Sequence, residues 1–196
     1  MGSGKSLAAA EFAKYGARII SGDKFGHEAL RQPNIKESVV KRWGSEILDS
    51  AGEVDRRKLG AIVFADERER KALEALVFPW IERRIAEEIA RAKADSSAKL
   101  VVLDAAIMLE AGWAGSCDQL VFVDARRELR LQRLAKERGW DAQEVDKREK
   151  SQWPLTEKQK RADWTLDNSG SPEKLARQVR DLLTHWGVLE KRDGEQ

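Results

Sequence analysis

Four short apolar runs are spaced along the chain: Ala17-Arg18-Ile19-Ile20, Leu100-Val101-Val102-Leu103, Leu120-Val121-Phe122-Val123 and Trp164-Thr165-Leu166. None alternates strictly between apolar and polar positions, the pattern of strands covered on both faces. The longer stretches between them repeat apolar residues at helical intervals, so the chain predicts an α/β fold with a parallel sheet rather than a bundle or a sandwich. The first helix is expected over 5–15 through Leu7, Ala8, Phe12 and Ala13, with Gly16 where a left-handed C-terminal cap belongs. From 30 to 98 the pattern is almost wholly helical, with Pro33 and Asp66 as starts and Gly44 and Gly52 as breaks. The longest piece, over 66–94, contains Pro79, whose ring clashes one turn back and predicts an end or a bend near Phe78. Further helices are expected over 128–138, within 141–162, and after Ser171, where Pro172 takes the first helical position.

These elements describe one domain over 1–187: a core of 1–30, 99–135 and 163–187, a helical insert over 31–98, and a second insert over 136–162. Residues 188–196 form a tail, expected to fray over 191–196. The 196 residues are 41% hydrophobic, enough for a core, and 36% charged, too many for a membrane protein. The longest apolar stretch, around 100–113, is broken by Asp104 and Glu110 and falls short of the roughly 18 residues a spanning helix needs. No signal-like opening is present and the single Cys117 builds no disulfide framework, so a cytoplasmic location without a membrane partner is expected.

Lys and Arg number 36 against 34 Asp and Glu, a net charge of +2 that argues against a nucleic-acid partner. Residues 126–161, however, hold 12 basic and 7 acidic side chains, a local +5 that leaves −3 for the rest. That segment reads either as a solvated helical surface or as a flap over polyanions.

Gly2-Ser3-Gly4-Lys5-Ser6 opens the first helix and reproduces the second half of the phosphate loop G-x-x-x-x-G-K-[ST]. Glycines let successive N–H groups converge on phosphate oxygens, and the helix N-terminus adds its positive end. Met1, Gly2, Ser3 and Gly4 would then wrap ATP, Lys5 would bridge the β- and γ-phosphates, and Ser6 would give its hydroxyl to Mg²⁺. The competing reading is a flexible Gly/Ser terminus. The motif's first glycine would fall two places before Met1, so the full gene product is expected to carry roughly ten further residues that supply the first strand of the sheet.

Asp23 follows the strand at 17–20, at the end where parallel strands present ligands. It could accept a hydroxyl proton, hold Mg²⁺, or cap a helix from Lys24, whereas His27 beside Phe25 and Leu30 reads as structural. Asp104 ends an apolar strand, a placement suited to Mg²⁺ or substrate. Arg133, Arg148 and Lys158 stand where long side chains could close over a triphosphate, and guanidinium suits that by gripping phosphate bidentately. Most of the seven tryptophans read as packing residues, with Trp113 and Trp153 the candidates for stacking on a base.

With these residues assembled, the chain resembles the dephospho-coenzyme A kinase family over nearly its whole length. The resemblance rests on an ordered set: Gly2–Ser6, Ser21-Gly22-Asp23, Gly52–Leu59, Val63-Phe64, Leu73–Leu76, Leu109–Trp113, Cys117-Asp118, Val123-Asp124, Arg133, Arg148–Gln152, Lys158, Ala162-Asp163 and Asp167–Gly170. It implies a P-loop kinase fold with about five parallel strands, a helical domain that receives the pantetheine-bearing substrate, and a mobile lid over 136–162. It implies transfer of the ATP γ-phosphoryl to the ribose 3′-hydroxyl of dephospho-coenzyme A, the last step of coenzyme A biosynthesis, by a monomer or weak homo-oligomer. Asp23 matches the second Asp of the family's D-x-D, the base for that hydroxyl, and Arg148 matches its lid arginine. Asp23, Arg56 and Asp104 fall on the substrate side, and Arg133 on the ATP side. Three positions depart from the pattern: Ser21 replaces the first Asp, Phe78-Pro79 replaces His-Pro, and Ala106–Glu110 replaces Pro-Leu-Leu-x-Glu. Another small-molecule or nucleoside monophosphate kinase of the same fold, and a non-catalytic nucleotide-binding protein, are the alternatives.

Overall fold

Strand β1 (Ala17–Ser21) runs parallel to β2 (Leu100–Asp104), with Ala17 opposite Leu100 and Ser21 opposite Asp104. Strand β3 (Val121–Asp124) runs parallel to β4 (Trp164–Asp167), with Val121 opposite Trp164 and Asp124 opposite Asp167. Parallel neighbours require long crossovers. Helices α2 (Gly22–Ala29), α3 (Pro33–Trp43), α4 (Arg56–Val63) and α5 (Glu67–Ala94) connect the first pair. Helices α6 (Arg127–Arg138), α7 (Ala142–Glu149) and α8 (Leu155–Lys160) connect the second. Helix α1 (Lys5–Ala13) precedes β1, and α9 (Pro172–His185) follows β4. This computed structural model describes residues 1–190.

Among the described residues the sheet is therefore two parallel pairs. A cavity of about 640 Å³ lies between β2 and β3, walled by Leu100–Asp104 on one side and Leu120–Asp124 on the other. Lys5, Asp104 and Lys158 line it where the strands end and Lys99 and Gln119 where they begin, with mainly apolar strand residues between.

Two cores hold the elements. The first packs Ile20 of β1 with Phe25, Ile35, Val39, Leu59, Ile81 and Ile85 from α2–α5. The second packs Ala8 and Phe12 of α1 against Val123, Leu166 and Leu175, Val179, Leu182 and Leu183 of α9. Val188 and Leu189 fold back so that their amides donate to the Leu183 carbonyl, and both join this core, whereas the tail at 191–196 lies outside the described residues.

Local chemistry sets most boundaries. Asp55 and Asp66 cap α4 and α5 by accepting from amides of their first turns. Gly16 adopts the left-handed conformation just after α1. Of the two outcomes expected at Pro79, the helix does not end: α5 runs on for 28 residues through it. An interior proline costs about 3 kcal/mol. Burial of Val77, Ile81 and Ile85 on the face toward the first core offsets that, at roughly 1.5–3 kcal/mol for each large apolar side chain. No helix of the described residues is long and apolar enough to cross a membrane.

Candidate active site

The site begins with a glycine loop that only glycine can make. Gly2 and Gly4 have φ of +68° and +86°, the left-handed region that other residues avoid. Space forbids side chains as well: a Cβ on Gly4 would lie 2.1 Å from Asn168 Nδ2, and one on Gly2 2.7 Å from the Arg130 carbonyl. Gly4 is also the N-cap of α1, and no side chain accepts from the helix's first amides. Those N–H groups and the positive helix end form a place for phosphate oxygens.

Side chains distant in sequence fasten this loop. Asn168 Nδ2 donates to the Ser3 carbonyl at 2.7 Å, and the Asn168 amide donates to the Asp124 carbonyl at 2.8 Å. Arg133 Nη1 donates to the carbonyls of Gly2 and Ser3, each at 3.4 Å, and Nη2 to that of Asn168 at 2.9 Å. Arg130, only 6% exposed, donates to the Met1 carbonyl and pairs with Glu149 at the end of α7. The loop thus hangs between the ends of β3 and β4 and helix α6. Arg133, anticipated over the triphosphate, grips the loop backbone.

Beside the loop, Ser6 Oγ donates to Asp104 Oδ2 at 2.7 Å. A hydroxyl and a carboxylate at this distance are hard oxygen donors, the kind Mg²⁺ takes alongside phosphate and water. Opposite Asp104 in the register stands Ser21, whose hydroxyl accepts from the Lys24 amide at 3.3 Å and caps α2. Asp23 therefore sits inside the first turn of α2 and does not cap it. The residue that replaces the family's first Asp has a structural task at that position. Burial pushes the His27 imidazole below its ordinary pKa; the charges of Arg56 and Arg31 push the same way, and Asp23 opposes them. Asp23, Arg31 and Arg56 are thus the charges that act on His27.

Arg148 lies on α7 and Lys158 on α8. The Arg148 guanidinium carbon is 4.5 Å from the centre of the Phe64 ring and 4.2 Å from that of Trp140, and its Nε donates to Glu144. Lys158 Nζ meets Glu110 Oε1 at 2.6 Å, the Ala106 carbonyl at 2.9 Å and Gln152 Oε1 at 3.3 Å. Because the Ala106 carbonyl and not its side chain receives Lys158, the change from Pro to Ala there leaves this contact intact. Trp113 is 5% exposed and meets Phe78 edge-on at 5.4 Å, so it is a core residue and offers no face to a base. Phe78, in place of the family's His, thereby joins the apolar core. Trp153 is more exposed and carries Arg161 over its ring at 4.6 Å.

Sequence reasoning named the loop, Ser6, Asp23 and Asp104, and the fold brings Ser6 against Asp104. It missed the fastening role of Asn168 and of the Arg130–Glu149 pair. Asp167–Gly170 stood out as a signature, but nothing local indicates that its amide reaches residue 3.

A glycine loop opening a helix beside parallel strand ends, with a helical insert and a lid, defines a P-loop kinase fold. The chain belongs to the dephospho-CoA kinase family: the sequence model described as Dephospho-CoA kinase matches residues 1–174. The dephospho-CoA kinase of Geobacillus kaustophilus is 37% identical over 190 residues, covering 96% of this chain and 94% of the relative. The crystal structure of TT1252 from Thermus thermophilus superposes with a TM-score of 0.76 at 37% identity, covering 94% of this chain and 93% of that one. The dephospho-CoA kinase structure from Campylobacter jejuni shares the fold, with a TM-score of 0.66 at 23% identity, over 95% of this chain and 92% of its own.

Proposed function

We propose that this chain transfers the γ-phosphoryl group of ATP to the ribose 3′-hydroxyl of dephospho-coenzyme A, forming coenzyme A and ADP. The observation that carries the reading is the Ser6–Asp104 contact at the mouth of the glycine loop, 98 residues apart in sequence and 2.7 Å apart in space. It puts an oxygen pair beside a phosphate cradle, and family membership supplies the acceptor.

In this reading the amides of Gly2–Ser6 and the ammonium of Lys5 receive the β- and γ-phosphates. Met1 and Arg133 complete the ATP side, Arg133 through the loop backbone it holds. Ser6 and Asp104 hold Mg²⁺, which neutralises phosphate charge when bound. Asp23 faces the acceptor and takes the 3′-hydroxyl proton as that oxygen bonds to phosphorus, and the bond from phosphorus to the ADP oxygen breaks. Arg56 lies on the acceptor side with Asp23. Arg148 gives its guanidinium to the equatorial phosphate oxygens. A cytoplasmic location and a monomer or weak homo-oligomer complete the proposal.

In-line phosphoryl transfer depends mainly on positioning and charge neutralisation. Lys5→Ala should therefore lower kcat/KM by roughly 10³-fold, more than Asp23→Asn does. Steady-state kinetics giving the reverse order would contradict this assignment. ADP release that rises on adding dephospho-coenzyme A separates the kinase from a non-catalytic nucleotide binder, and a screen of acceptors separates it from a nucleoside monophosphate kinase.

A further inference from the structure

We infer that Phe64 and Trp140 are positioning residues for phosphoryl transfer: their rings grip the guanidinium of Arg148 and aim its free edge. The inference rests on the proposed role of Arg148 in that reaction. Phe64 caps the C-terminus of α4 in the helical insert, while Trp140 lies between α6 and α7, at the root of the lid. The Arg148 side chain is 23% exposed, with its guanidinium carbon within 4.5 Å of both ring centres. Glu144 takes the Nε–H one turn earlier on α7.

A guanidinium has five N–H donors in one plane. Glu144 uses one of them, and the aromatic contacts hold the group by its π system, an attraction that strengthens with desolvation. What remains for a planar anion is the edge carrying the two Nη groups, which have no hydrogen-bond partner among the described residues. An otherwise flexible side chain is thus reduced to one presentation. Because one ring belongs to the insert and the other to the lid, the orientation of Arg148 depends on the two being docked. The contact of Arg70 on α5 with the Ser151 carbonyl beyond α7 closes the same seam. A lysine could not substitute, since an ammonium is a compact point charge without a plane to grip.

Two measurements on the full-length protein test this. In ¹⁵N–¹H spectra of arginine side chains, the Arg148 Nε–Hε signal, assigned by its loss in Arg148→Lys, should carry a ring-current shift. Phe64→Leu or Trp140→Leu should return it toward the unshifted value. In kinetics, each of those variants should lower kcat about tenfold with KM for ATP within about twofold, while Phe64→Tyr stays near wild type. Added to Arg148→Ala, Phe64→Leu should change kcat by less than about twofold, because the residue it positions is gone. Equal losses in the wild-type and Arg148→Ala backgrounds overturn the inference and leave the functional reading standing, as does an Nε signal indifferent to both ring substitutions. An unchanged kcat in Arg148→Ala overturns the lid assignment itself and this inference with it. Trp140→Leu decides the matter if Phe64→Leu does not fold.

Discussion

Gly4 is held by two independent constraints, its φ of +86° and the 2.1 Å that would separate an added Cβ from Asn168 Nδ2. Gly52 has only the first, with φ of +74° and nothing within 4 Å of an added Cβ. The pair makes a controlled comparison. Gly52→Ala should cost about 1–2 kcal/mol of stability from backbone strain alone and leave ATP affinity unchanged. Gly4→Ala should displace Asn168 from the Ser3 carbonyl and reduce ATP affinity at least tenfold, read by titration calorimetry. Equal effects of the two on affinity would mean that the fit against Asn168 has no part in shaping the loop. The spacing of Gly2, Gly4, Lys5 and Ser6 was legible in the sequence because a loop and the helix it opens are local events. Asn168 was not, because its partner lies 165 residues away and only the strand order brings them together. Trp113 was misjudged as a stacking candidate for the same reason, since its burial against Phe78 depends on how the insert folds over β2.

Among elements, the turn from β4 into α9 is the one that carries Asn168, and Asp167 builds it. Its carboxylate takes the Lys174 ammonium at 2.6 Å and the Ser169 amide at 2.9 Å. The hydrogen bond from Lys174, and then those from Ser169, pull its pKa down to about 2. A carboxylate whose folded value lies below its unfolded one stabilises the fold above the unfolded pKa and loses that contribution as pH falls through about 4 to 2. Its side chain is 43% exposed, so screening limits the contribution to about 0.5–1 kcal/mol. Asp167→Asn should therefore be slightly less stable than wild type in urea at pH 6, and the gap should narrow between pH 5 and pH 3. A gap that stayed constant over that range would show that the carboxylate's charge is not involved. The strands themselves were legible as short, mostly apolar runs without strict alternation. Pro79 was legible as a break point in α5, but whether the helix would end there or run on was not, because burial on a face that only the assembled insert defines outweighs the local steric penalty.

Across the whole molecule, several cations of 126–161 are paired within the protein, although of the acidic partners only Glu110 lies outside the segment, so its basic excess largely remains. Arg127 pairs with Asp146, Arg130 with Glu149, Arg148 with Glu144 and Lys158 with Glu110. Net charge along a segment could not reveal this, because each partner is set by the folding of the lid on itself, on α6 or on the loop after β2. Beside the glycine loop, Lys5 and the loop amides would meet phosphate charge from one side, and a metal held by Ser6 and Asp104 would meet it from the other. A ligand that binds only the folded state at a hundred times its Kd adds about 2.7 kcal/mol of stability. In a chain of this size that raises Tm by roughly 5–10 °C. ATP with EDTA should give part of that rise, and replacing EDTA with Mg²⁺ should add to it. Asp104→Asn should keep the rise due to ATP alone and lose most of the increment from Mg²⁺, because the carboxylate 2.7 Å from Ser6 Oγ supplies the negative charge on the protein side of the metal. An increment that survives this substitution intact would move the metal away from the end of β2. The phosphates would then be held by Lys5 and the loop amides alone.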